Sequence, residues 1–556
     1  MDGGGSPDAG DNLIDIALYD PGERHRPSPV LTAMKNILFI MADQLRYDYL
    51  GCAGHPSLET PNIDALAARG VRFSQAYVQS PVCGPSRMCF YTGRYISTHG
   101  ATWNYVPLPT SEMTMGDHLR PLGTDVLLVG KSHVTPNLDG LARLGIDPNT
   151  KEGRLMAEGG FRVFERDDGI HADAAVKPDY AYNRYLEEHG LGGPNPWHYR
   201  ANATGDAEPK SGWYLQNVGA AARVPAEHSE TAYMTNRAME CIAAQTNQWC
   251  LHLSYIKPHW PYVAPAPYHA MYGAADVPPA LRDPRELDDP HPVLAAYHAR
   301  EECRTFCRDE ARDTVIPIYM GMIKQIDDEI GRLMAFLEDR GALDQTMIVF
   351  TSDHGDYLGD HWLGDKEMFH RQSTRIPLIV VDPDAAADGT RGTVSARPVE
   401  SIDLLPSFVD WLGGEVPDHI LEGQSLLPLL HGQDIPWRDT VFSELDYSFR
   451  QQRRELNVPP HAARAYNLRN ARWNYVYFEG FPPQLFDLET DPDEFVDLGR
   501  DPAYSDICAK LEARLFAWLR ARKRRATISD AAIEAKTESW RKNGVFAGAW
   551  SPEDQE

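Results

Sequence analysis

Short, uninterrupted apolar runs, each closing on polar or glycine residues, constrain this chain more than any other feature. Asn36-Ile-Leu-Phe-Ile-Met-Ala42 ends at Asp43-Gln44. Asp125-Val-Leu-Leu-Val-Gly130, Thr346-Met-Ile-Val-Phe-Thr351 and Ile376-Pro-Leu-Ile-Val-Val381 share its form. A strand with one wet face alternates apolar and polar residues, so runs without alternation read as strands buried on both faces of a mostly parallel sheet. Helical patterns lie between them, for example over 62–69 and 318–337. The alternation predicts an α/β fold, a central sheet with helices on both faces.

The pattern is interrupted near 137–225 and near 263–310, which read as insertions in a main α/β domain spanning 34–430. Residues 1–33, rich in Gly, Asp and Pro, read as an N-terminal extension. After about 430 the runs become short and partly alternating, as in Val441-Phe-Ser-Glu444, Ala465-Tyr-Asn-Leu-Arg469 and Trp473-Asn-Tyr-Val-Tyr-Phe478. They predict a smaller α+β subdomain over 431–523 with an antiparallel sheet and an amphipathic helix near 508–523, followed by a tail, 524–556. Lys and Arg total 54 against 80 Asp and Glu, a formal charge of −26. That acid excess excludes a general nucleic-acid or anionic-membrane binder, which needs a basic face. The first thirty residues lack the basic start and apolar core of a signal peptide, so the expectation is a cytoplasmic protein with free thiols. Eight cysteines in 556 residues are too few for a disulfide scaffold.

The chemistry-bearing residues stand at strand ends, where open α/β sheets collect ligands. Asp43-Gln44 follows one strand and Ser352-Asp353-His354-Gly355-Asp356 another. Two carboxylates, an amide oxygen and an imidazole suit one divalent cation, the nitrogen leaning from Ca²⁺ toward Mn²⁺. An Asp after a strand serves equally well as a helix cap. A second block runs Pro81-Val-Cys83-Gly-Pro85-Ser86-Arg87-Met-Cys-Phe-Tyr91-Thr92-Gly93-Arg94. Cys83 precedes a helix start, where backbone N–H groups stabilise an anion, and Arg87 would aim a guanidinium fork at the same place. A buried cysteine beside a structural arginine is the competing reading.

Cys83-x-Pro85-Ser86-Arg87 followed by Thr92-Gly93-Arg94 resembles the signature of the type I sulfatases. In that family a formylglycine-generating enzyme oxidises the cysteine to formylglycine. Tyr91 departs from the Leu common at its position. The Asp43 and Asp353 contexts resemble the wider alkaline phosphatase superfamily, and 485–498 is similar to the sulfatase C-terminal motif. The likeness runs from about residue 35 to beyond 498. It implies an alkaline-phosphatase/sulfatase-like, mostly parallel sheet and one divalent metal ion, Mn²⁺ or Ca²⁺, held by Asp43, Gln44, Cys83, Asp353 and His354. Lys257-Pro-His-Trp-Pro-Tyr262, the stretch 263–272 and the Gln44/His354 pair resemble the phosphonate monoester hydrolase branch. Lys131-Ser-His133 instead resembles the Lys-x-His of typical sulfatases.

The resemblance implies that the hydrate of the Cys83 aldehyde attacks sulfur, expels the alcohol and then eliminates sulfate. His133 is the expected base for the elimination, and Lys131 bridges hydrate and substrate. His259 and Lys366 are expected at the leaving oxygen, with Asn104 donating to a substrate oxygen. Structural readings of these residues are a satisfied core histidine, a solvated lysine and a local cap. Trp197, Tyr199, Trp213 and Tyr214 could wall an aromatic pocket, Cys303 and Cys307 read as structural thiols, and His361 and His370 flank the Lys366 loop. The expected function is formylglycine- and metal-dependent hydrolysis of sulfate monoesters, with phosphonate monoesters and phosphodiesters as further substrates. A phosphonate hydrolase proper, or an anion-binding member with unmodified Cys83, are the alternatives. The expected partners are a small anionic ester, the modifying enzyme and further copies of the chain in a homo-oligomer, with neither nucleic acid nor membrane.

Overall fold

The computed structural model describes residues 34–170, 180–523 and 525–537. The extension 1–33 lies outside the described residues, as do 524 and 538–556 of the tail. The fold below is that of the unit Lys35–Glu556.

Its centre is an eight-stranded sheet. The strands are β1 (Asn36–Asp43), β2 (Val71–Phe73), β3 (Asp125–Gly130), β4 (Arg162–Arg166), β5 (Trp249–Pro258), β6 (Thr346–Thr351), β7 (Leu378–Val381) and β8 (Thr393–Ser395). They lie in the order β8-β2-β7-β6-β1-β5-β3-β4. Every neighbouring pair is parallel except those that β7 makes with β6 and β2. Helices flank the sheet, the main ones being α1 (Pro61–Arg69), α2 (Cys83–Thr92), α3 (Glu230–Ala243), α4 (Asp309–Asp339) and α5 (Leu404–Trp411).

β1 shows why the apolar runs form this sheet. Leu38, Ile40 and Ala42 enter a core shared with α1, α3 and α4, while Ile37, Phe39 and Met41 enter another shared with α2 and α5. Both faces are dry, and each large side chain so buried contributes about 1.5–3 kcal/mol. β5, the other strand beside β1, is masked in the sequence by His252, Ser254 and Lys257. Each finds a partner: His252 Nδ1 donates to the Phe39 carbonyl (3.1 Å), Ser254 Oγ accepts from Arg87 (2.8 Å) and Lys257 Nζ donates to Asn202 Oδ1 (2.8 Å). Pro377 divides the predicted run at 376–381, so Arg375–Ile376 pairs in a separate three-stranded sheet. α4 begins well before 318 and runs through the buried Pro317, packing on both sides overriding the lost N–H.

Beyond 430 lies a second, antiparallel sheet of β9 (Thr440–Asp446), β10 (Arg464–Asn470), β11 (Trp473–Phe478) and β12 (Gln484–Asp487), in that order. α6 (Ser505–Arg520) places Leu511 and Leu515 in one cluster with Leu468 and Tyr475 of this sheet. The molecule is therefore mixed α/β, with a large, mostly parallel sheet between helices and a small antiparallel sheet. Among the described residues no helix is long and apolar enough to cross a membrane.

Candidate active site

The carboxyl ends of β1, β3, β5 and β6 meet the first turn of α2. β1 ends in Asp43, and Gln44 turns the chain with φ of 64°. Asp353 and His354 follow β6, and Cys83 opens α2. One donor atom from each of Asp43, Cys83, Asp353 and His354 lies within 4.8 Å of all the others. Cys83 Sγ is 3.0 Å from His354 Nε2 and 3.9 Å from Asp43 Oδ1. Gln44 Oε1 accepts from Lys366 Nζ (2.9 Å), which also lies 3.1 Å from Cys83 Sγ, so the amide oxygen belongs to the same group.

Cations surround these donors. Arg87 stands four residues after Cys83, hence on the same helix face. Its Nε donates to Asp353 Oδ2 (2.8 Å) and its Nη2 to Asp43 Oδ2 (3.3 Å). Lys131 Nζ reaches Asp43 Oδ2 at 2.5 Å. Burial and the Cys83 charge would raise the Asp43 carboxyl, but Lys131, His259 and Arg87 outweigh them and hold it below the usual carboxylate range. Burial would likewise raise the Cys83 thiol, yet Lys366, Lys131 and His354 bring it well below its ordinary value. Against burial, Asp43 and Cys83 keep Lys131 charged; Cys83 and Asp365 do the same for Lys366.

Two buried carboxylates, an amide oxygen and an imidazole nitrogen are a donor set for one divalent ion. His354 fits it: Nδ1 donates to the Gly355 carbonyl (2.9 Å), which turns Nε2 toward the group, where a bound ion would take the place of its proton. Gln44 is aimed the same way, its amide N–H₂ donating to Tyr262 Oη (3.3 Å) and to Asp356, so that Oε1 points inward.

The structure brings the remaining predicted residues to the rim of this group. β3 ends at Gly130 with φ of 100°, where a Cβ would lie 2.0 Å from the Ser254 carbonyl, so only glycine delivers Lys131 here. Ser132 and His133 donate both backbone N–H groups to Asp168 Oδ1 (2.9 Å each). Burial and Lys131 lower the His133 pKa while Cys83 acts to raise it, and its Nδ1 is buried with no partner among the described residues. Asn104 Oδ1 accepts from Gly84 N (2.8 Å), so its amide caps the start of α2 while the N–H₂ stays available. His259 Nδ1 donates to the Trp260 carbonyl (3.0 Å), which leaves Nε2 as the free nitrogen.

Other predicted features lie elsewhere. Trp197 is buried with Nε1 donating to Glu230 (2.7 Å), while Trp213 and Tyr214 line a cavity of about 520 Å³ with Trp260. Of the predicted aromatics, Trp213 and Tyr214 line that cavity, with the buried Trp197 ring 6.5 Å from that of Trp213. Cys303 Sγ accepts from Gly364 N (3.3 Å) and Cys307 Sγ meets the Trp362 carbonyl (3.5 Å), so both thiols pin the loop that carries Lys366. His361 and His370 stack at 4.0 Å; Nδ1 of the first bonds Glu286 and Nδ1 of the second bonds Tyr357, not the donor group. Gln44, His133, Asp365 and Glu367 all have φ between 56° and 100°, an outlay of about 1–3 kcal/mol each that surrounding contacts must offset. Sequence reasoning passed over Asp168, Tyr262, Asp356, Arg300 and Arg450, which brace the site from outside. Of these Tyr262 and Asp356 lie inside recognisable blocks, 257–262 and 352–356.

A family model described as Sulfatase matches residues 35–414, and one described as N-sulphoglucosamine sulphohydrolase, C-terminal, matches 359–521. The chain belongs to the sulfatase family. It is thus a hydrolase of the alkaline phosphatase superfamily. It is 32% identical over 87% of its length to the multifunctional alkaline phosphatase superfamily protein PehA of Trinickia caryophylli, covering 95% of that protein. It is 27% identical to an arylsulfatase of Clostridium perfringens over 85% of this chain and 91% of the other. Phosphonate monoester hydrolase from Silicibacter pomeroyi is similar in structure, with a TM-score of 0.77 and 30% identity over 90% of this chain and 98% of that one. Sulfatases generally use formylglycine and a divalent metal, and the group around Cys83 is where this chain has the residues for both.

Proposed function

We propose that this protein hydrolyses sulfate monoesters, with Cys83 converted to formylglycine and one divalent ion, Mn²⁺ or Ca²⁺, held by Asp43, Gln44, Asp353, His354 and the converted residue. The observation that carries this reading is the pair Lys131 and His133 after one strand end, the first 2.5 Å from Asp43 Oδ2, the second fixed by Asp168 with a buried Nδ1 that has no partner among the described residues. The aldehyde, after adding one water, would supply a hydroxyl of its hydrate as nucleophile in place of the thiol, and the ion would supply positive charge that makes that hydroxyl acidic.

The chain's own residues do the rest. Arg87 fixes both carboxylates and so orients the donors. Lys131 beside Asp43 and Lys366 beside Cys83 hold the sulfuryl oxygens, and the N–H₂ of Asn104 donates to one of them. Burial and Lys131 lower the His133 pKa, so its neutral ring can accept a proton at the oxygen on residue 83. Lys366 and His259 serve the leaving oxygen, Lys366 as the donor that stays charged. Cys83, Pro85 and Arg87 are buried, Cys83 to 1% exposure, so the formylglycine-generating enzyme would act before this segment folds away.

A second reading, phosphonate monoester or phosphodiester hydrolysis as the main activity, draws on the likeness to the Silicibacter enzyme and on Gln44 and His354. The ratio of kcat/KM for an aryl sulfate, a phenyl phosphonate monoester and a phosphodiester decides between them. The sulfate is expected to lead; phosphorus esters ahead by orders of magnitude would reverse the order. Peptide mass spectrometry across Cys83 tests the premise, since an intact thiol in active protein made beside the modifying enzyme removes it.

A further inference from the structure

Lys366 stands between two acidic residues in the left-handed region, Asp365 with φ of 63° and Glu367 with φ of 100°. Neither is a glycine, so contacts from outside must keep the loop on this course. The Glu367 carboxylate is fully buried and gripped from two distant segments. Arg450, from the turn after β9, donates Nε–H to Oε2 (2.9 Å), and its Nη2 pairs with Oε1. Arg300, from the stretch 263–310, lies 3.4 Å from the same Oε1 and 3.5 Å from Asp365 Oδ2, and Tyr297 Oη donates to Oε2 (2.9 Å).

The other side of Arg450 faces Trp103. Its guanidinium carbon lies 5.2 Å from the indole centroid, and Phe449 stacks on the same ring at 5.7 Å and 10°. Trp103 is the residue before Asn104, whose side chain meets Gly84 N beside Cys83. One guanidinium therefore touches a chain neighbour of Lys366 and a chain neighbour of Asn104. Both of these reach the surroundings of Cys83, Lys366 Nζ at 3.1 Å from Sγ.

We propose that Arg450 is a positioning residue that sets the reach of Lys366 and Asn104 toward the anionic centre of the bound ester. It acts through Glu367 and Trp103, and rests on the reading of Lys366 and Asn104 as anion-binding groups given above. Both contacts need a planar fork, with two parallel N–H donors and a flat face to lay on the indole. A lysine supplies the charge and neither geometry. The small antiparallel sheet region thereby enters the site without contributing a group to it.

The test is a mutant cycle on the converted, metal-loaded protein, read by calorimetry of inorganic sulfate binding and by kcat and KM for an aryl sulfate. Arg450→Ala is expected to weaken sulfate binding and lower kcat/KM at least tenfold, with Arg450→Lys still at least threefold below wild type. In a Lys366→Ala background, removing Arg450 should add less than it costs wild type, since only the Asn104 route remains, and in a Lys366→Ala/Asn104→Ala background less than a twofold loss. Arg514→Ala, which removes an exposed ion pair with Asp439, is the control and should change neither readout. Sulfate affinity within twofold of wild type in folded Arg450→Ala overturns the proposal, as does a full additive loss with Lys366→Ala. Should Arg450→Ala fail to fold, Glu367→Gln enters the same cycle with the same two outcomes. Wild type that binds sulfate but turns over no ester removes the proposed function and leaves this cycle decisive; wild type that binds neither sulfate nor phosphate removes both.

Discussion

α2 carries two buried cysteines six residues apart, and the chain treats them in opposite ways. Cys83 opens the helix, where N–H groups and three cationic side chains converge, and its thiol is held well below its ordinary pKa. Cys89 lies near the other end, 3.3 Å from His99 Nε2, and burial together with Glu444, Glu422 and Glu400 pushes its thiol well above. Burial acts in the same direction on both. What separates a reactive position from an inert one is therefore the sign of the charges within reach, set here by which segments fold over each end of one helix.

Replacing the two cysteines should give the largest divergence. Cys83→Ala is expected to lower turnover on the order of 10⁴-fold or more, the scale of losing a nucleophile. Cys89→Ala should keep turnover within about threefold and cost only ~1–2 kcal/mol as a small buried cavity. Steady-state rates with urea unfolding of both variants check this. A comparable loss of turnover from Cys89→Ala would mean that the two ends act as one unit.

Each end also has its own arginine, buried in the case of Arg87 and partly buried in the case of Arg438. Arg87 satisfies Asp43 and Asp353, whereas Arg438 bonds Asp403 and lies 3.3 Å from Glu400. Truncating either to Ala takes the guanidinium away from buried carboxylates, of which Asp43 keeps Lys131, so each should lose about 3–5 kcal/mol of stability. The two losses should then part under a chelator. Removing the divalent ion lowers the unfolding midpoint of wild type, an effect that should be additive with Arg438→Ala and not with Arg87→Ala, which shares its carboxylates. Identical chelator responses in the two variants would move the metal site away from Asp43 and Asp353.

The sequence made one end of α2 readable and left the other dark for a physical reason. Strand ends and the Cys83-x-Pro85-Ser86-Arg87 block are local, so the donors and Arg87 could be named before their distances were known. The uninterrupted apolar character of β1, β3 and β6 announced the parallel sheet for the same reason. β5 was hidden because its polar residues are satisfied by partners far along the chain, as His252 is by Phe39 and Tyr91. Asp168, Arg300 and Arg450 were hidden likewise, since a side chain that braces a loop more than thirty residues away leaves no periodic or spacing signal. The acidic residues around Cys89 come from three separated segments and carry no motif at all.

Those acids permit the finest test. The Glu444 carboxyl is pushed up to about 7, by burial first and by Glu422, against the Ser97 N–H and Arg522. An acid whose folded-state pKa exceeds its unfolded value keeps its proton longer in the folded chain. Below about 4.5 both states are protonated and Glu444 has no effect on the balance. Between about 4.5 and 7 the unfolded chain gives up the proton first, so stability falls as pH rises; above about 7 the loss is complete at about 3 kcal/mol. Glu444→Gln retains an oxygen for Ser97 and removes the titration. Relative to wild type it should gain stability progressively across that window, in urea unfolding at successive pH values, with turnover unchanged because Glu444 belongs to the Cys89 end. Parallel stability curves for the two proteins would show that Ser97 and Arg522 already keep the carboxylate charged, and the contrast between the two ends of α2 would then rest on Cys83 alone.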